Sequence, residues 1–243
     1  MRKGFYTETF VQTVESWDGS LLAPSSENRK VESVRVFRSS WFEQVFAKAH
    51  PIMPGISWGP VGVVCTYLTI ADERFAPGRA ALGLLFGLLI WTLLEYLLHR
   101  WLFHLIPDST FEGKLRQFMI HGYHHEFPND RMRLVAPLLL SMPIGTLIAL
   151  VYVMLFGRYH WMAWYVGTVI GYLAYDWTHY YTHHFRPTTR LGKFLRRYHM
   201  EHHYKDSESH FGISSPLWDW VFGTANGRSS ASGSDREAVS EPN

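Results

Sequence analysis

Cysteine is almost missing from this chain: Cys65 stands alone inside an apolar run. One thiol excludes an internal disulfide, and with it a zinc or iron–sulfur site built on cysteine. An excess of one charge is missing too. Lysine and arginine number 23 against 21 aspartates and glutamates, so no charge field points to a nucleic-acid partner. The opening residues MRKGFYTETFVQTVES carry basic side chains but no apolar stretch, so no cleavable signal peptide is expected and membrane insertion must use internal segments. At 243 residues the length suits one domain with a sizeable core.

What the chain does have is apolar length, aromatic residues and histidine. Ala80–Leu98, AALGLLFGLLIWTLLEYLL, contains one charge, Glu95, and as a helix would cover roughly 28 Å, close to a bilayer's hydrocarbon thickness. A weaker run extends from Ile56 to Ala71, a third covers Leu134–Phe156 with Pro137 and Pro143 inside it, and a fourth covers Trp161–Thr178. Ten tryptophans and an aromatic share of 16% suit membrane interfaces. Basic residues sort by side. Residues 1–54 hold seven, 99–134 hold five and 182–243 hold eight, whereas the two short connections opposite hold Arg74, Arg79 and Arg158. The expectation is an all-α integral membrane protein with four transmembrane helices and both termini in the cytosol. Residues 1–54 are read as a cytosolic lead-in whose stretch Arg35–His50 forms a helix on the membrane surface, 55–224 as the membrane domain with a cytosolic cap, and 225–243 as a disordered tail.

Ten histidines fall into four groups: His99 and His104; His121, His124 and His125; His179 and His183; His199, His202 and His203. Helical positions i and i+4 share a face, so His179 and His183 can grip one ion, whereas adjacent His202 and His203 diverge by about 100° and would serve different ions. Two metals are therefore expected, on the cytosolic face. Imidazole suits zinc, copper, iron and nickel. Two closed zinc sites would use eight ligands, whereas five imidazoles on each of two octahedral ions leave one position open for oxygen chemistry. A purified protein could carry zinc without zinc being the working metal. Glu95, four before His99, and Asp176, three before His179, are expected to accept the outer N–H of a ligand histidine; the plain alternative is pairing with an interfacial arginine. His50 reads as structural, His210 as a surface or outer residue, His160 lies on the wrong side, and His184 is left open beside His183.

These motifs resemble those of the fatty acid hydroxylase/sterol desaturase superfamily of integral-membrane diiron enzymes. The likeness rests on HRWLFH at His99–His104, HGYHH at His121–His125, DWTHYYTHH at Asp176–His184 and HMEHH at His199–His203. Within the superfamily the pattern is most similar to fatty acid 2-hydroxylases, through LLEYLLHRWLFH, the box order and HFGISSPLWDWVFGT at His210–Thr224. The resemblance implies two irons, with His99, His121, His124, His199 and His202 on one and His104, His125, His179, His183 and His203 on the other. It implies insertion of one atom of O₂ into the C2–H bond of a fatty acyl chain, free or in a sphingolipid or ceramide. No side chain beyond the ligands is implied as acid, base or nucleophile. Many eukaryotic relatives carry a cytochrome b5 domain for which this chain has no room, so a separate donor, cytochrome b5 or a ferredoxin with its reductase, is expected, docking near Arg190, Lys193, Arg196 and Arg197. Rival readings are sterol desaturation, sterol methyl oxidation or carotenoid hydroxylation and, outside enzymes, a membrane metal transporter or b-type cytochrome; transport would want ligands near mid-membrane.

Overall fold

The computed structural model of the chain describes residues 4–23, 33–106 and 109–226, excepting the side chains of 158 and 159. The tail expected to be disordered lies outside the described residues from 227 onward. All named elements are helices. The first, α1 (Glu8–Ser16), begins where the Thr7 hydroxyl accepts the Phe10 N–H at 3.3 Å. The expected surface helix over Arg35–His50 is much shorter: α2 (Ser40–Phe42) runs into a π-turn over Glu43–Ala47. The reason is a competing acceptor. One carboxylate oxygen of Glu43 takes the N–H groups of Val36 and Phe37, at 3.1 and 2.8 Å, and Phe37 bridges to Tyr6, so this part of the chain is extended.

The lead-in is not a polar appendage. Phe10, Val14, Trp17, Leu21, Val36 and Phe37 bury themselves against Phe118, Tyr123 and Phe127, residues within and on either side of the second histidine group.

Three long helices make the apolar part. These are α3 (Met53–Ala71), α4 (Pro77–Leu97), which starts on a proline whose missing N–H has no helical partner anyway, and α7 (Leu138–His184). Gly157 breaks α7 at φ 71°, in the left-handed region, and the two halves fold back side by side. Across that hairpin Tyr152 bonds Thr168 at 2.8 Å and the Tyr165 hydroxyl donates to the Gly145 carbonyl at 3.1 Å. Trp58, Trp91, Tyr165, Val169 and Tyr172 form the shared core. The α4 helix and the second half of α7 cross at backbone contact, because neither Gly87 nor Gly167 has a side chain to hold them apart.

Among the described residues, Pro77–Phe103 and Leu138–Gly157 are long and apolar enough to cross a membrane. Only 6% of the apolar window in the second is buried within the protein. A nearly bare apolar helix of that length calls for lipid around it. The segments at 56–71 and 161–178 are helical, but their glycine, tyrosine and tryptophan content keeps them below the same threshold.

At the polar end, α5 (Phe111–Gln117) is capped by Thr110 and passes through a π-turn at Phe118–Gly122 into α6 (Tyr123–Glu126). The α8 helix (Arg190–Tyr204) is capped by Thr189, and α9 (Leu217–Phe222) stops at Gly223, φ 74°.

Candidate metal centre

Four helix ends deliver the ten histidines to one place. The α4 helix widens into a π-turn over Leu98–Phe103, and His99 and His104, five residues apart, come to the same side of it. The π-turn and α6 supply His121, His124 and His125, the end of α7 supplies His179 and His183, and α8 supplies His199, His202 and His203. Nine of the ten are buried and His183 is half-buried.

The nitrogens separate into two sets of five, each set lying within 4.8 Å of one another: His99, His104, His121, His125 and His202 in one, His124, His179, His183, His199 and His203 in the other. This corrects the division that the family likeness implied. His104 and His125 join the first set, and His124 and His199 the second. The cause is helical geometry. At about 100° per residue, i+4 lies about 40° from i while i+3 lies about 60° to the other side. Each H-x-x-H-H triplet therefore keeps its first and last members together, and His124 and His202 cross to the neighbouring set.

The spacing within each set suits a metal. Nε2 to Nε2 separations are 3.1 Å for His99–His121, 3.0 Å for His121–His125, 3.0 Å for His124–His179, 3.0 Å for His124–His203, 2.8 Å for His183–His199 and 3.1 Å for His199–His203. Ligand nitrogens about 2.0–2.1 Å from one ion and at right angles to each other would sit roughly 2.9 Å apart. Direct hydrogen bonding does not account for the pattern. His121, His124, His199 and His203 each place a single Nε2 against two others, and one such nitrogen carries at most one proton. His202 is the sharpest case. Its Nδ1 donates to the Ser209 carbonyl at 2.7 Å, which leaves its buried Nε2 bare, and that atom has no partner. Burial, reinforced by neighbouring imidazoles, holds His104, His121, His125, His199, His202 and His203 well below the usual histidine range, and burial takes His124 down to about 3. The neutral imidazole that results is the form that binds metals.

The two carboxylates are buried beside the histidines but do not take the expected N–H bonds. Glu95 accepts from the Ile213 and Ser214 N–H groups at 2.6 and 2.7 Å and from the Ser214 hydroxyl. Asp176 keeps one oxygen without a partner, and so does the Nδ1 of His179. Backbone carbonyls do the expected work instead: His99 Nδ1 donates to Phe211 O at 2.6 Å, as His202 does to Ser209 O. Spacing along the chain could not reveal these partners, which come from an irregular segment more than a hundred residues after His99. His184 and His210 belong to neither set; His210 is buried rather than superficial, beside Tyr198.

A cavity of about 400 Å³ opens onto His121, His124 and His179 and continues between the apolar helices past Trp91, Tyr172 and Ile148. From His179 to Tyr165 it follows α7 for about 21 Å at 1.5 Å per residue. Glu95 and Asp176 stand on its wall at the histidine end.

A family model described as fatty acid hydroxylase matches residues 84–224. A dihydroceramide fatty acyl 2-hydroxylase, FAH2, of Arabidopsis thaliana is 39% identical over 205 residues, 81% of this chain and 82% of that protein. A fatty acid 2-hydroxylase of Rattus norvegicus is 39% identical over 79% of this chain and 56% of its own length. The solved structure of full-length scs7p, in which only the hydroxylase domain is visible, superposes with a TM-score of 0.72 at 29% identity, covering 93% of this chain and 81% of that one. From the middle of α4 through the last described helix, the match spans every histidine of both sets, and the chain belongs to the fatty acid hydroxylase family.

Proposed function

We propose that the protein is an O₂-dependent fatty acid 2-hydroxylase acting on acyl chains of free fatty acids or of sphingolipids and ceramides. The observation that carries this reading is the cavity: a largely apolar channel between lipid-exposed helices that ends at histidines of both sets. One iron would be held by His99, His104, His121, His125 and His202, and the other by His124, His179, His183, His199 and His203. When bound, the iron pair supplies activation of O₂ and cleavage of the C2–H bond. The chain's own work is placement. Trp58, Ile148, Tyr165 and Val169 take the acyl tail, and Glu95 and Asp176 face the polar end of the substrate at the mouth of the histidine chamber. The packed helices keep bulk water from the reacting carbon.

Four crossings with the histidine sets on the cytosolic face are part of this proposal, supported by the sidedness of the basic residues and by two helices long and apolar enough to cross a membrane. Electrons come from a separate carrier, cytochrome b5 or a ferredoxin with its reductase. The test is expression of the chain in cells with lipid mass spectrometry. Wild type should yield 2-hydroxy acyl lipids and His202→Ala none. Accumulation of an oxidised sterol or carotenoid, or unchanged 2-hydroxylation in His202→Ala, would overturn the proposal.

A further inference from the structure

We infer that Asp219 is a positioning residue for one metal site and not the other, acting through a backbone strap at residues 209–214; the inference rests on the two-ion reading above. Two outer nitrogens of the first set end on this strap, His99 Nδ1 on the Phe211 carbonyl and His202 Nδ1 on the Ser209 carbonyl. A carbonyl only accepts, so each Nδ1 holds the proton and each Nε2 turns its lone pair toward the centre of the set.

Between those two carbonyls lies His210, at φ 58°. That left-handed conformation is strained for a residue with a side chain, so the strap needs an outside hold to keep both carbonyls aimed at the histidines. Asp219 supplies it. It is fully buried, and its Oδ1 accepts the Phe211 N–H at 2.9 Å and the Thr224 hydroxyl at 2.7 Å, while Oδ2 accepts the Gly212 N–H at 2.7 Å. One residue, Phe211, is thus held by Asp219 at its N–H and holds His99 with its carbonyl. Glycine at 212 admits the carboxylate, since a Cβ there would lie 2.9 Å from Oδ2 and still closer to the Ser215 carbonyl oxygen. Glu95 then fixes the next two N–H groups, of Ile213 and Ser214.

The second set has no equivalent. Among the described residues the Nδ1 atoms of His179, His199 and His203 have no partner, and in the first set those of His104 and His125 have none either, so the strap-held pair His99 and His202 is what separates the two sets. The two sites therefore differ in how firmly their ligands are oriented, and the difference traces to one carboxylate more than a hundred residues from His99.

Replacing Asp219 by asparagine exchanges one acceptor oxygen for an NH₂ that faces another donor. The experiment uses the purified full chain in detergent, loaded anaerobically with iron(II), with metal content by mass spectrometry and affinities by chelator competition. Wild type should hold two ions. In Asp219→Asn one ion should weaken by roughly 10–100-fold while the other stays at its wild-type affinity. Adding His202→Ala to that variant should weaken the same ion further and leave the other alone, whereas adding His183→Ala should weaken the ion that Asp219→Asn left at its wild-type affinity. Thr224→Val, which deletes one of the three bonds, should weaken the same ion to a smaller degree, and it carries the test if Asp219→Asn does not fold. Equal weakening of both ions, or of neither, in a chain with wild-type helical content would overturn the role of Asp219. A wild-type chain that takes up fewer than two ions would instead overturn the two-ion reading itself.

Discussion

The crossing of α4 with the second half of α7 is expected to space the histidines at the ends of those two helices, and Gly87→Ala tests it. A Cβ on Gly87 would fall onto the Trp164 carbonyl oxygen, 2.9 Å from the carbonyl carbon and 3.0 Å from the Gly167 Cα. These are backbone atoms of a helix and cannot rotate away. Ordinary carbon contacts begin near about 3.5 Å, so the helices must part by roughly 1 Å. Overpacking of this kind costs about 1–3 kcal/mol, which for a chain of this size lowers the melting temperature by about 2–12 °C. The parting also strains the hydrogen bond from the Thr168 hydroxyl to the Gly87 carbonyl, 3.2 Å long. Because α4 leads directly into His99 and His104 while α7 carries His179 and His183, the same displacement should lower metal content as well as stability. Thermal denaturation in detergent, paired with metal analysis, reads both. Gly78→Ala is the control: nothing lies within 4 Å of a Cβ there, and alanine improves helix propensity. If Gly87→Ala melted with the control and kept its full metal load, the crossing would not be what spaces the histidines.

Two further outcomes follow from buried charge. Glu43 is 3% exposed and pairs with Arg133, which also pairs with Asp130. Glu43→Gln leaves that guanidinium with half its compensation and loosens the Val36–Phe37 backbone, so chemical denaturation should show a loss of about 3 kcal/mol, and a loss under about 0.5 kcal/mol would show the pair to be dispensable. In the metal-free protein, burial lowers the folded-state pKa of His124 from 6.5 to about 3. Below 6.5 the unfolded chain takes up a proton that the folded one refuses, so stability is fully present above pH 6.5 and is lost as pH falls toward 3. Each histidine of this kind removes up to about 1.4 kcal/mol per pH unit across that window, and a melting temperature flat from pH 7 to 5 would refute it.

Much of this was legible in the sequence because it is local. An apolar run such as Ala80–Leu98 announces its helix without reference to anything distant, and the ten histidines announce their clustering by repetition. The unequal partition of each triplet was also within reach, since it needs only the helical angle between i+3 and i+4. What stayed hidden depends on contacts far apart in the chain. The aromatic core of the lead-in is scattered singly from Phe10 to Phe37, with no run or period to mark it, and its partners lie after residue 117. The hold of Asp219 on Phe211 and of Phe211 on His99 joins an irregular segment to a helix end, and nothing in residue spacing encodes such a link. The helical stretch of the lead-in came out shorter than expected because a side-chain carboxylate outcompeted helical carbonyls for two N–H groups.

The wide turns at Leu98–Phe103 and Phe118–Gly122 set stability and activity against each other at one point of the chain. Each holds one residue more than an α-helix would use, an irregularity that helices normally shed. Deleting a single residue such as Leu102 would let the backbone relax into an ordinary spiral while swinging His104 away from its set. In the metal-free protein such a lesion would not lower the heating curve, and it would be plain in the lipids.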